Sequence, residues 1–181
     1  YDIETGTWEE PQYLSQARGA MASAVVGDWA IFAGGVLPLA NISDRVDIYN
    51  FTTNIWSTAS LSEARGWASA TIVNDKVLIA GGLTSFGIPS DRVDIYNATT
   101  GEWTIDSLTV PRCSNGNAAT VKGKAYFAGG GNFNNGTFYS PSNVVDIYDE
   151  ESDIWSTINL IDPLVSHSVV GVGDKLIVAG G

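Results

Sequence analysis

Few side chains in this sequence could do covalent or metal chemistry. The 181 residues contain one cysteine, Cys113, and one histidine, His167. A single thiol cannot form a disulfide within the chain, and one cysteine with one histidine is too small a set for a Cys/His metal site. The sequence therefore predicts no catalytic residue, no cofactor and no metal ligand in this chain.

Three evenly spaced arginines are the strongest candidates for binding chemistry, because guanidinium groups bind carboxylates. They are Arg18, Arg65 and Arg112. One hypothesis is that they contact an acidic partner. The alternative is a structural ion pair with aspartates that recur in the same phase, which are Asp47, Asp94 and Asp146. We favour the ion pair, because buried arginines nearly always need a carboxylate or carbonyl partner.

Double glycines also recur, each after an alanine, and could suggest a phosphate-binding loop. The pairs are Gly34-Gly35, Gly81-Gly82, Gly129-Gly130 and Gly180-Gly181. They end predicted strands rather than begin helices, and no Lys-Ser or Lys-Thr follows them, so the features of a phosphate loop are missing. We expect them to allow a backbone conformation or a close approach that a Cβ would block.

Four asparagines lie in N-glycosylation sequons, against about two expected by chance for this composition. They are Asn41, Asn50, Asn97 and Asn135. This mild excess favours a secreted or extracellular protein, with a cytoplasmic one as the alternative.

Composition narrows the partner classes. The net charge is −11, which repels phosphate backbones, so we expect no nucleic-acid partner. No stretch approaches the length of apolar residues that a membrane span needs. With 44% hydrophobic residues, the chain corresponds to one globular domain or part of one.

The elements that position these residues repeat along the chain. A tyrosine followed seven residues later by a tryptophan recurs in phase with the double glycines; the internal pairs are Tyr49 and Trp56, Tyr96 and Trp103, and Tyr148 and Trp155. Each period contains four short predicted strands, and no window has helical periodicity. The first strand of each period has small residues and the last two carry the large aromatics. This gradient favours a radial β-propeller with the first strand innermost.

The repeat resembles the kelch motif. The resemblance rests on Arg65 before a small-residue strand, Ala80-Gly81-Gly82, Val93-Asp94-Ile95-Tyr96 and Trp103. It implies an all-β propeller, usually of roughly six or seven blades. In kelch proteins the periodic arginines lie at the mouth of the axial channel, where they could form a basic ring. We predict a propeller fragment with complete repeats at 11–57, 58–104 and 105–156, and partial repeats at 1–10 and 157–181. A four-bladed ring closed by the two partial repeats is the alternative.

We expect the periodic Tyr and Trp side chains to be packing residues buried between blades, because a ligand site needs one cluster rather than the same residue in every blade. The loops between second and third strands vary instead: 36–44, 83–91 and 131–143. The last contains Phe133, Phe138 and Tyr139. Variable loops on a constant scaffold are typical of a recognition surface.

The sequence therefore predicts a non-enzymatic interaction module of a larger protein, with a protein or glycan partner on this loop face. One alternative is the propeller of an oxidase-like enzyme. Some kelch-like propellers are copper-radical oxidases, which need more His and Cys than this chain has, so the catalytic residues would lie outside the segment. Another alternative is an architectural repeat in an extracellular assembly.

Overall fold

The computed structural model describes residues 1–85, 87–113, 117–134 and 137–181, without the side chains of residues 133–139. The described residues form β-strands, and their only helical element is a single 3-10 turn, Pro38–Ala40. No helix among them is long and apolar enough to cross a membrane. The all-β prediction is confirmed.

Three four-stranded antiparallel sheets follow one another along the chain, and each is one blade. Blade 1 contains β1 (Ala22–Val26), β2 (Trp29–Ala33), β3 (Arg45–Asn50) and β4 (Ile55–Ser60). Blade 2 contains β5 (Ser69–Val73), β6 (Lys76–Ala80), β7 (Arg92–Asn97) and β8 (Trp103–Ser107). Blade 3 contains β9 (Ala118–Val121), β10 (Lys124–Ala128), β13 (Ser142–Asp149) and β14 (Ile154–Leu164).

Two smaller sheets accompany the blades. A hairpin of β11 (Asn132–Asn134) and β12 (Thr137–Tyr139) lies between β10 and β13 in the chain. A half-blade of β15 (His167–Val172) and β16 (Lys175–Gly180) follows blade 3. In the described residues, the half-blade forms its own two-stranded sheet, and the N-terminal Asp2–Thr7 bridge stands apart from it. Among the described residues, no β-bridge joins the two partial repeats into one sheet, and whether the ring closes stays a prediction.

The first strand of each blade is innermost, as the size gradient predicts. β1 contacts β5, β5 contacts β9, and β9 contacts β15, whereas the fourth strand of each sheet is at its edge. The Thr71 and Thr120 hydroxyls are 2.9 Å apart and join the inner strands of blades 2 and 3. Small side chains are needed here because the sheets converge on the axis.

The hydrophobic core lies between blades rather than inside any one sheet. Buried residues of blade 1, such as Ile31 and Val46, pack against Val77 and Tyr96 of blade 2. Tyr148 and Phe127 of blade 3 pack in the same way against blade 2. A sheet has two faces, and each blade buries one against each neighbour, so the same residue types recur in every repeat.

The tryptophans differ from the prediction, because they are half-buried rather than buried. Each stacks on the tyrosine of the neighbouring strand, with ring centroids 4.9 Å apart for Tyr96 and Trp103 and 5.2 Å for Tyr148 and Trp155. The tyrosines lie on third strands, whose two edges are both paired. The tryptophans lie on fourth strands, which have a sheet neighbour on one side only and so leave part of each indole in solvent.

The observed strands extend past the predicted repeat ends and into one predicted loop. The fourth strands continue beyond the predicted repeat ends at residues 57, 104 and 156, because they pair along the full third strand, as in Arg45 with Ser60. The predicted loop 131–143 contains the β11–β12 hairpin, and β13 already begins at Ser142.

Candidate interaction surface

Backbone bonds at the double glycines set the spacing of the blades and gather two kinds of loop on one side. Gly35 N donates to Arg65 O (2.8 Å), Gly82 N to Arg112 O (3.0 Å) and Gly130 N to Leu164 O (2.9 Å), so each pair bonds to the following repeat. A Cβ on Gly81 would lie 2.5 Å from Arg112 O. The close-approach interpretation is confirmed for the first three pairs, whereas a Cβ on Gly180 would have its nearest contact 4.0 Å away.

The segments joining blades therefore lie beside the loops that join second to third strands. Gly66 and Leu83 form a bridge within repeat 2, and Arg112 N donates to Ser90 O of the preceding blade at 3.1 Å. We call this side the loop face; its described parts include residues 36–44, 61–67, 83–85 and 87–91. The opposite side, with the turns after first and third strands, is the turn face.

The three periodic arginines are buried beneath the loop face in ion pairs. Arg18 Nη1 is 2.6 Å from Asp47 Oδ2, Arg65 Nη2 pairs with Asp94 Oδ2, and Arg112 Nη2 is 2.5 Å from Asp146 Oδ2. The arginines also donate to backbone carbonyls at the ends of second strands, for example Arg112 to Phe127 O at 3.0 Å. All three side chains have at most 1% exposure.

Each aspartate uses its second oxygen to hold the segment that leads into the arginine. Ser62 N donates to Asp94 Oδ1 at 2.8 Å and Thr109 N to Asp146 Oδ1 at 3.1 Å. In blade 1, burial raises the pKa of Asp47, but hydrogen bonds from Ser15 and Arg18 outweigh it and hold that pKa below its ordinary value. The aspartate thus stays ionised and fixes both the guanidinium and the chain before it.

These contacts correct the partner-binding hypothesis for Arg18, Arg65 and Arg112. A partner on the loop face would not reach guanidinium groups that are out of solvent and already bonded to carboxylates and carbonyls. The ion-pair alternative is the one observed. Burial lowers the pKa of Arg65, and the charge of Asp94 opposes that shift.

Apolar side chains project from the described loops of blades 1 and 2 on the loop face. Leu39 is 95% exposed in the loop of blade 1, and Ile88 is 57% exposed in the loop of blade 2. Leu39 and Ala40 have φ values of 65° and 61°, in the left-handed region that bulky residues rarely adopt. The loop thus presents a leucine to solvent at a cost in backbone strain, and such strain often accompanies functional sites.

A groove lies beside the loop of blade 2 on this face. Its volume is about 540 Å³, and its walls include Glu63, Ile88, Pro89, Ser90, Asp91 and Arg92. Ser90 Oγ donates to Glu63 Oε2 at 2.6 Å. We call it the blade-2 groove. Sequence reasoning did not identify this groove, although the residues at these positions differ among the repeats and could have indicated a specialised site.

The predicted contact residues of blade 3 are only partly located. Phe133 pairs with Phe138 in the backbone register of the hairpin, and Asn132 pairs with Tyr139. Their placement in one hairpin between β10 and β13 agrees with the predicted loop. The side chains of Phe133, Phe138 and Tyr139 lie outside the described residues, as does Asn135, so contact through them stays a prediction.

The described sequons differ in accessibility. Asn41 is exposed on the loop face, whereas Asn50 is 9% exposed. Asn50 Oδ1 accepts from Thr53 N at 2.8 Å, and Asn97 Oδ1 accepts from Thr99 N at 2.9 Å, so both side chains form turns on the turn face.

The side chains of His167 and Cys113 are packed in the protein interior. Both are buried, and His167 Nε2 lies 3.0 Å from Ala128 O, so Nε2 carries the proton and donates it. Nδ1 faces Asn117 Nδ2 at 3.3 Å and accepts from it. Burial lowers the pKa of His167, which favours this neutral form. The histidine joins the half-blade to blade 3.

A second cavity, of about 310 Å³, lies between blades 2 and 3 towards the turn face. Lys76 Nζ is 3.1 Å from Tyr148 OH and 3.3 Å from Glu150 Oε1, and the Tyr148 hydroxyl donates to Asp153 at 2.7 Å. The two Lys76 bonds link blade 2 to blade 3.

Comparisons with known proteins agree with this geometry. The family model described as the Kelch motif matches residues 65–105 and 112–159. The solved structure of YjhT, one of 161 matching chains of known structure, superposes with a TM-score of 0.75 at 16% sequence identity. The match covers all of this chain and 67% of that chain. A search of curated proteins finds no match.

Proposed function

The chain is built of kelch repeats, and from that premise we propose that it is a non-enzymatic protein-interaction module of a larger protein, binding its partner on the loop face. The observation that carries the proposal is Leu39, which is 95% exposed on strained backbone above a scaffold that repeats from blade to blade. Ile88 supports it from the neighbouring blade. Exposed apolar anchors on loops over a rigid sheet suit a contact surface.

The test uses a displayed library of random peptides selected on the immobilised chain. Peptides that bind are expected to lose about tenfold in affinity with Leu39→Gly or Ile88→Ser, because each change removes an apolar contact worth about 1.4 kcal/mol. Leu39→Gly also relieves the left-handed strain, so the melting temperature should hold or rise. Loss of binding without loss of stability separates contact from folding.

The matched control is Ile55→Ser on β4, which removes an equally exposed isoleucine from the outermost strand of blade 1. Its peptide affinities should equal those of the unmodified chain. The proposal is wrong if no peptide is enriched, or if the peptides are insensitive to both loop-face variants.

We also propose that the protein is secreted and carries an N-glycan at Asn41. The support is the sequon together with the exposure of that side chain, in contrast to the turn-forming Asn50 and Asn97.

Expression of an Asn135→Gln variant through a eukaryotic secretory pathway tests this. The Asn135→Gln change removes the sequon that lies outside the described residues, so that any glycan found belongs to one of the other three. We expect one glycan, seen as a mass decrease on treatment with N-glycosidase, and its absence after Asn41→Gln. An Asn50→Gln variant should keep the glycan. A mass that the glycosidase leaves unchanged would refute the assignment.

A further inference from the structure

The blade-2 groove brings two carboxylates and one guanidinium to an apolar wall on the loop face. Glu63 and Asp91 are half-buried, Arg92 is exposed, and Ile88 and Pro89 form the apolar side. Among the residues that the structure describes, no ion pair within 4.0 Å includes Glu63, Asp91 or Arg92. Within the described part of the chain, these three side chains thus form no ion pair, although the charges of Glu63 and Asp91 act on buried Arg65 and oppose the lowering of its pKa by burial.

The fold does not need all three charges together, because blade 1 has Asp44-Arg45 at the positions of Asp91-Arg92 but no carboxylate at the position of Glu63. In blade 1, Gln16 occupies the position of Glu63, and Ser43 Oγ donates to Gln16 Oε1 at 2.7 Å, matching the 2.6 Å bond from Ser90 to Glu63. A neutral amide thus serves the structural bond as well as the carboxylate does.

Blade 3 has none of the three charges. Val110 stands at the position of Glu63, and Asn143-Val144 replaces Asp91-Arg92. The serine bond to the strand is kept, since Val144 N donates to Ser142 Oγ at 3.1 Å, as Arg92 N does to Ser90 Oγ. Only blade 2 has the complete set of three charges, and it also has the groove.

We propose that the blade-2 groove binds a peptide segment carrying a lysine or arginine beside an apolar side chain. This rests on the proposed function and names the partner's chemistry. The two carboxylates outnumber the one guanidinium, so the groove is electronegative, and Ile88 and Pro89 offer contact to the apolar neighbour. Arg92 donates to a backbone carbonyl of the same segment. The net charge of −11 attracts a basic segment from a distance.

The peptides selected from the random library test the chemistry directly. We expect a basic residue next to an apolar one in the enriched sequences. Glu63→Gln with Asp91→Asn should weaken these peptides about tenfold, because two charge contacts are lost. Gln16 and Asn143 show that each replacement fits its place, so the melting temperature should stay close to that of the unmodified chain. Raising the salt concentration should also weaken binding to the unmodified chain more than to the variant.

The control is Asp75→Asn with Asp174→Asn, which removes the same two charges from the turn face, where both residues lie in tight turns. Its affinity should fall less than about twofold, since only the long-range field changes. Enriched peptides without basic residues, or binding equal for the groove variant and the control, would overturn the inference. If such peptides still depend on Leu39 and Ile88, the proposed function stands and the groove assignment alone fails; if none is enriched, both fail.

Discussion

The Arg65→Ala variant is expected to lose about 3–5 kcal/mol of folding free energy, a large share of what a domain of this size has. The change leaves Asp94 buried at 2% exposure with no guanidinium to neutralise it. It also removes the donors to Ile79 O and Arg92 O, so two strands lose a common anchor. Urea unfolding measures the loss.

A double variant separates the effect of lost packing from the effect of leaving the Asp94 charge without a partner. Arg65→Leu with Asp94→Asn removes both charges and keeps an oxygen to accept from Ser62 N, and Leu164 already occupies the arginine position in the half-blade. We expect it to recover more than half of the stability that Arg65→Ala loses, because replacing a whole buried pair costs far less than removing one partner. A double variant as unstable as the single one would contradict the charge argument.

The Gly81→Ala variant is expected to be destabilised by roughly 2–5 kcal/mol, the sum of two effects. Gly81 has φ +65°, which costs an alanine about 1–2 kcal/mol. The added Cβ also meets Arg112 O at 2.5 Å, and that oxygen accepts from Gly82 N in the joint between blades 2 and 3. The methyl group cannot be placed unless the two blades move apart.

Gly101→Ala supplies the matched control, because Gly101 lies in the same blade at φ +74° with nothing within 4 Å of its added Cβ. It should cost only the backbone term, about 1–2 kcal/mol. The difference between the two midpoints of thermal unfolding reports the clash at the joint. Equal midpoints for the two variants would show that the contact between blades 2 and 3 accommodates the added methyl group. Gly81 would then be required for its φ alone.

Much of the scaffold follows from periodicity. Arg65 and Asp94 recur in phase with the double glycines, and a fold that repeats its contacts must repeat the residues that make them. The ion pairs, the inner position of β5 and the glycine joint were therefore predictable from spacing and side-chain size.

The features that do not repeat were not predictable in the same way. The left-handed backbone at Leu39 depends on how one loop closes, and no period marks it. The blade-2 groove arises from loop shape together with a set of three charges that is complete only in blade 2. The partial exposure of Trp103 follows from its strand's position at the sheet edge, which a sequence period does not distinguish from a paired strand.

The hydrogen bonds from the double glycines to the following repeat also affect the order in which the blades fold during synthesis. The acceptor for Gly35 N is the carbonyl of Arg65, and the acceptor for Gly82 N is that of Arg112, so every blade completes its backbone bonds with residues of the repeat made after it. A ribosome releases the chain from its N-terminus, and domains form as their residues emerge. Each blade thus remains unfinished until the next one begins, and the propeller is assembled with a lag of one repeat.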